Sequence, residues 1–162
     1  IMDADGSNQT RITNNTAHDG GPSWSPDGTK LAFFSDRTGN NKIWIIDTDG
    51  SNLTRLTNHT ANDIEPAWSP DGNKIAWTRC VSPRTETSGG CDIWVMNADG
   101  SGTTNLTNSP GDGDGQQDSA WSPDGSKIAY TNHPDKSIYI MTVSGSTNTK
   151  LITPGFNPSW SP

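Results

Sequence analysis

Carboxylates supply most of the chemistry-bearing side chains of this sequence, and they recur in one short context. The runs DADGS at Asp3, DTDGS at Asp47 and NADGS at Asn97 set an Asp or Asn two positions ahead of an Asp-Gly pair. Clustered oxygen ligands on a tight loop are what a hard cation such as calcium requires. These runs nevertheless lack the additional oxygens and the distant bidentate Glu of a calcium-binding loop, and a hairpin turn explains them better, because Gly accepts a positive φ and Asp tolerates it. GDGDGQQD, residues 111–118, is different in kind. It is an insertion that gathers Asp112, Asp114 and Asp118 among glycines, so these three are weak calcium candidates, with a solvated loop as the default reading. His18, His59 and His133 fall in separate connecting segments, and the sequence contains no GxSxG, HExxH or Walker-type run. No catalytic residues, no bound cofactor and no enzymatic activity are therefore expected.

The two cysteines, Cys80 and Cys91, flank the stretch VSPRTETSGG between two apolar runs, IAWTR and DIWVM. Opposed positions on paired antiparallel strands lie about 4.5–5.5 Å apart, within the range of about 4.4–6.8 Å that a disulfide spans between Cα atoms. A zinc pair is the competing reading, but no His stands beside them. A disulfide implies an oxidising compartment, so a periplasmic, cell-surface or secreted location is expected. The Asn-x-Thr triplets at Asn8, Asn14, Asn52, Asn58 and Asn105 fit surface turns and follow from a repeated SNxTxLT pattern.

What positions these residues is a repeat. PSWSPDGTKLAFF, PAWSPDGNKIAW, SAWSPDGSKIAY and a closing PSWSP put Trp24, Trp68, Trp121 and Trp160 at steps of 44, 53 and 39 residues. Such periods belong to propellers, solenoids or helical arrays. Each unit reads as a strand, the SPDG turn, an apolar strand, a loop, a strand such as KIWIID, a second Asp-Gly turn and a final strand such as LTRLT. No sustained 3.6-residue period occurs, and Gly and Pro interrupt each window long enough for a helix. The expected fold is all-β: a β-propeller of four-stranded antiparallel blades. Blades are expected at 22–65, at 66–118 with an insertion, and at 119–157. Residues 1–21 are expected to form a half-blade, and 158–162 the first strand of a further one. The tryptophans are expected to wedge between blades. Closed propellers contain about 4–8 blades, so either a longer polypeptide or copies joined end to end would complete the ring, the latter a homo-oligomer.

Only 28% of the residues are apolar, yet seven Trp and triplets such as IWI, IWV and IYI argue for an ordered chain rich in turns. Eleven Lys and Arg against 18 Asp and Glu leave a net charge of −7 with no basic stripe, which disfavours nucleic acid as a partner. No apolar run is long enough to span a membrane as a helix.

The motifs WSPDGxKIAF, IWVMNADGS and RLTN resemble the repeats of the TolB β-propeller family, also found in the propellers of prolyl oligopeptidase-like and tricorn proteases. The resemblance covers essentially the whole chain. It implies the propeller fold and, through TolB, a periplasmic role in contact with the peptidoglycan-associated lipoprotein and the Tol envelope machinery. Fold alone does not imply function, so position within the fold is the better guide. Segments between LTN and WSP must cross one face of the disc towards the central channel, and binding residues on rigid scaffolds favour such loops. The crossings carry His18 and Asp19, Asp63 and Glu65, Gln117 and Asp118, and Phe156 and Asn157. As surface side chains they would form an acidic, amide-bearing mouth for a protein or peptide partner. The expected function is a non-enzymatic scaffold. The alternatives are the gating propeller of a serine peptidase, a glycan-binding propeller, and a self-assembling subunit of a ring or fibre.

Overall fold

The computed structural model describes residues 1–81, 90–108, 115–144 and 148–161, and regular structure among them is β throughout. The first sheet comprises β1 (Asp19–Trp24), β2 (Lys30–Ser35), β3 (Lys42–Asp47) and β4 (Thr54–Arg55). The second comprises β5 (Asn62–Trp68), β6 (Lys74–Cys80), β7 (Cys91–Asn97) and β8 (Thr104–Asn105), and the third β9 (Gln116–Trp121), β10 (Lys127–Asn132), β11 (Ser137–Thr142) and β12 (Asn148–Ile152). In each sheet the strands follow chain order and pair antiparallel. Three blades of a propeller stand side by side in an unclosed arc, their innermost strands β1, β5 and β9 packed against one another in turn.

The repeated WSPDG phrase builds the first hairpin of each blade. Ser25 Oγ accepts the Lys30 amide at 2.9 Å and donates to Asp27 Oδ1 at 2.6 Å, and Asp27 Oδ1 in turn accepts the Thr29 amide at 3.0 Å. Gly28 closes the turn with φ +71°. Ser69 with Asp71, and Ser122 with Asp124, repeat the arrangement at matching distances. The DxDGS runs close the other hairpins similarly: Asp49 Oδ1 accepts the Ser51 amide at 2.8 Å, and Asp47 Oδ2 accepts Asn52 Nδ2 at 2.6 Å. Asp5 and Asp3 do the same with Ser7 and Asn8. Turn donors thus take up the carboxylates that suggested a cation.

Two placements differ from expectation. The innermost strands begin at Asp19, Asn62 and Gln116, upstream of residues 22, 66 and 119. The pairing continues through a bulge, where the register shifts between Gly20 and Ser23 and between Ile64 and Ala67. Pro22 and Pro66, which have no amide to contribute to a ladder, sit inside those bulges. In residues 1–21, expected to form a half-blade, turns but no strand precede β1 at Asp19, although Ile1 and Thr10 exchange two backbone bonds of 2.7 Å. An isolated two-stranded pair is marginal without further strands beside it.

The core lies between blades. Trp77, Ile75, Ile43 and Met96 are fully buried where the first two sheets meet, and Ile128, Met141 and Ile93 where the second and third meet, with Trp121 largely buried beside them. The wedge expected of the repeated tryptophans is clearest at Trp121 and Trp160, whose indole N–H groups reach back 3.0 Å to the carbonyls of Ala67 and Ala120 on the preceding inner strand. Trp24 departs from it: its side is 51% exposed, because no sheet flanks it on that side among the described residues.

Candidate functional site

Each innermost strand carries a residue in the left-handed backbone region three positions before its tryptophan, Gly21 at φ +57°, Glu65 at +53° and Asp118 at +55°, and Asn157, at +51°, stands in the same place before Trp160 outside the twelve strands. Three of the four are not glycine, and such conformations persist only where the surroundings impose them. The bulge imposes it here and swings the side chain out of the normal alternation towards the neighbouring strand. Glu65 Oε2 accepts the Thr78 hydroxyl at 3.1 Å and the Asp118 amide, on the next blade, at 3.3 Å. One blade further on, the Asn157 amide donates to the Thr131 hydroxyl at 3.0 Å. In the first blade Phe34 takes the place of Thr78 and Thr131, lying so close to Gly20 that a Cβ there would be 2.6 Å from its ring.

The electrostatics follow from this crowding. Burial pushes the Glu65 carboxyl above the ordinary carboxylate range, and the nearby Asp118 charge adds to the shift, while the hydrogen bonds from Asp118 and Thr78 and the neighbourhood of His133 oppose it. Two ring pairs border the cluster: His133 lies 5.6 Å from Phe156, which is 49% exposed, and His18 lies 5.7 Å from Phe34. Glu65, Asp118, His133, Asn157 and Phe156 therefore belong to one acidic, aromatic-edged patch.

Asp63 is not part of it. Expected as a surface residue of a crossing, it lies in β5 and is fully buried. Its Oδ1 accepts Arg79 Nε at 2.6 Å and Trp77 Nε1 at 3.1 Å, and its Oδ2 accepts Arg79 Nη2 at 3.2 Å. Arg79 is packed over the rings of Trp94 and Trp77, at 4.5 and 5.5 Å. Asp19 repeats the device in β1, paired with Arg37 at 2.8 Å, which lies over Trp44 and Phe33. Both aspartates anchor an arginine between aromatic rings, which explains why an acid recurs there. Buried Lys42 serves the same seam, donating to the Asn41 and Ala61 carbonyls at 2.9 Å. Burial lowers its ammonium's pKa, and Asp63 pulls it back up.

Gln117 lies in β9, where Nε2 donates to Cys91 Sγ at 3.4 Å. Cys80 and Cys91 face each other across β6 and β7 and form a disulfide, with Cα atoms 4.1 Å apart. Of the weak calcium candidates, Asp112 and Asp114 lie outside the described residues, and Asp118 donates its amide to Glu65. No group of three or more His, Cys, Asp or Glu suited to a metal ion occurs among the described residues.

This arrangement of bulged inner strands in repeated four-stranded blades has a counterpart in sequence space: the model of the TolB beta propeller domain matches residues 1–162. The chain belongs to the TolB β-propeller family.

Solved TolB structures share its fold. A TolB-type protein from Agrobacterium tumefaciens is 25% identical with a TM-score of 0.70, over 87% of this chain and 51% of that one. TolB from Acinetobacter baumannii is 22% identical with a TM-score of 0.77, over 95% of this chain and 37% of that one. An oligogalacturonate lyase in complex with manganese superposes with a TM-score of 0.68 at 19% identity, over 92% of this chain and 40% of that one. This TolB-family chain thus spans about half or less of the length of these relatives. No curated protein matches the sequence. Within the TolB-family blade, Thr78 and Thr131 are site neighbours that the motifs do not single out, and His133, set aside as a catalytic residue, joins them. Their signal was positional: Thr78 and Thr131 each stand ten residues after a WSP tryptophan.

Proposed function

We propose that this TolB-family segment is a non-enzymatic, extracytoplasmic scaffold that binds a protein or peptide partner at the channel end of its inner strands. The observation that carries this reading is the meeting of Glu65 and Asp118 from adjacent blades. The Glu65 carboxylate tied to the Asp118 amide, with the Asp118 charge near it and exposed Phe156 at the edge of the patch, suits a basic peptide segment with apolar side chains. His18, Gln117 and Asn157 stand around the same end. The disulfide supports a periplasmic, cell-surface or secreted location, since such bonds persist in oxidising compartments.

The test is fluorescence anisotropy with labelled lysine-rich and glutamate-rich decapeptides at low and high salt. The lysine-rich peptide should bind more tightly, less so at high salt, and Asp118→Asn and Phe156→Ala should each weaken it severalfold without unfolding the protein. Equal binding of both peptides, or no effect of either substitution, would sink the reading.

A second reading, that copies of the chain assemble, has its own observation. The hollow of about 470 Å³ beside Trp24, floored by Ile12, Leu31, Phe33 and Ile46, leaves an apolar sheet face open at one end of the arc. Leu151 and Ile152 are each 56% exposed at the other. Such faces on one molecule suit a head-to-tail contact. Sedimentation at rising concentration should show self-association that Trp24→Asp abolishes; a monomer throughout would dispose of it.

A further inference from the structure

We propose that the Cys80–Cys91 disulfide is a redox-sensitive brace for the channel-side start of β9, so that its reduction loosens the segment carrying Gln117 and Asp118 while leaving the first blade intact. The disulfide joins directly opposed residues at the far end of β6 and β7, where that hairpin meets the next blade. The contact there is close. A Cβ on Gly115 would stand 2.2 Å from the Cys91 carbonyl oxygen and 2.3 Å from its nitrogen, so the backbone of residue 115 rests on that of Cys91. Gly115 also has a φ of +69°, a second reason no other residue fits. Gln117 Nε2 meets Cys91 Sγ at 3.4 Å, and the Gly115 carbonyl accepts the His133 amide at 3.0 Å. Asp118, next in line, contacts Glu65 through its amide. A continuous chain of contacts therefore runs from the disulfide through Gly115 and Gln117 to the Asp118 backbone and the Glu65 carboxylate of the proposed binding end. Only the consequence for partner binding rests on that proposal; the mechanical coupling does not.

The step is a two-electron exchange with an external dithiol, as carried by thiol–disulfide oxidoreductases. One thiolate attacks a cystine sulfur, Cys80 being the less buried side, and the S–S bond breaks as a mixed disulfide forms. The second thiol of the reductant resolves it. The reductant leaves as a disulfide, and Cys80 and Cys91 each hold a proton as thiols.

Hydrogen exchange with mass spectrometry on the whole chain tests the coupling without any ligand. After dithiothreitol treatment, and independently in the Cys80→Ser/Cys91→Ser variant, amides of residues 115–121 and 91–93 should exchange about tenfold faster while those of β2 stay unchanged. Gly115→Ala, with the disulfide intact, should reproduce that local pattern by displacing the same contact. Unchanged exchange at 115–121 on reduction, or an equal increase in β2, would overturn the proposal. If the lysine-rich peptide binds, reduction should weaken it; failure of that peptide to bind at all tells against the functional reading and leaves the exchange pattern to decide this one.

Discussion

At the scale of single residues, the left-handed position of the inner strand separates two kinds of acid that look alike in sequence. Asp63 and Glu65 stand two apart, yet one is fully buried against Arg79 and Trp77 while the other leans to the next blade. Removing one partner of a buried ion pair costs about 3–5 kcal/mol, so Asp63→Ala should lower the unfolding free energy by that much, seen as a lower urea midpoint with an unchanged slope. Glu65→Gln should behave oppositely. Its folded pKa lies above the ordinary value of 4.5, so the native state binds more protons than the unfolded chain there, and stability falls as pH rises through that range. The Gln variant should be as stable as the parent or more so at pH 7, and urea titrations at several pH values should show a flatter dependence above about pH 4.5.

At the scale of the element, the WSPDG hairpin is a hydrogen-bonded unit whose carboxylate must be ionised to work. Hydrogen bonds from the Ser122 hydroxyl, the Ser126 amide and the Ser126 hydroxyl hold Asp124 down to about 2 from 3.8, and Asp27 and Asp71 are lowered by the same kinds of donor. A depressed folded pKa contributes stability above the unfolded value that is lost as pH falls through the folded one. Acid unfolding should therefore gain a component between about pH 4 and pH 2. Asp124→Ala should remove part of it, as circular dichroism against pH would show. These hairpins were legible from sequence because Ser, Asp and Gly at fixed offsets are a local code: every atom of the turn lies within six residues, from Ser25 to Lys30. The start of the inner strand was not legible. DGGPSW and NDIEPAW contain Gly or Pro where a regular strand would end, and only pairing with the next strand carries the ladder across the bulge.

At the scale of the whole molecule, stability resides at seams between blades. Trp121 packs into the second seam and donates to Ala67 across it. Large-to-small changes of buried aromatics cost about 3–5 kcal/mol, so Trp121→Ala should lower the unfolding free energy by that amount, whereas Trp24→Ala, at the exposed end, should change it by less than about 1 kcal/mol. Guanidinium titrations of both variants make the comparison.

By itself the sequence determined the blades, the two kinds of turn, the pairing of Cys80 with Cys91 and the family, because each is written as a short local pattern repeated along the chain. Tertiary structure alone decided which acids are buried and which lean towards the next blade. That outcome depends on side chains some ten to fifty residues away, such as Arg79 for Asp63 and Asp118 for Glu65. Whether a carboxylate is ion-paired between rings or turned to the neighbouring blade is set by blade-to-blade packing, which a local pattern does not encode.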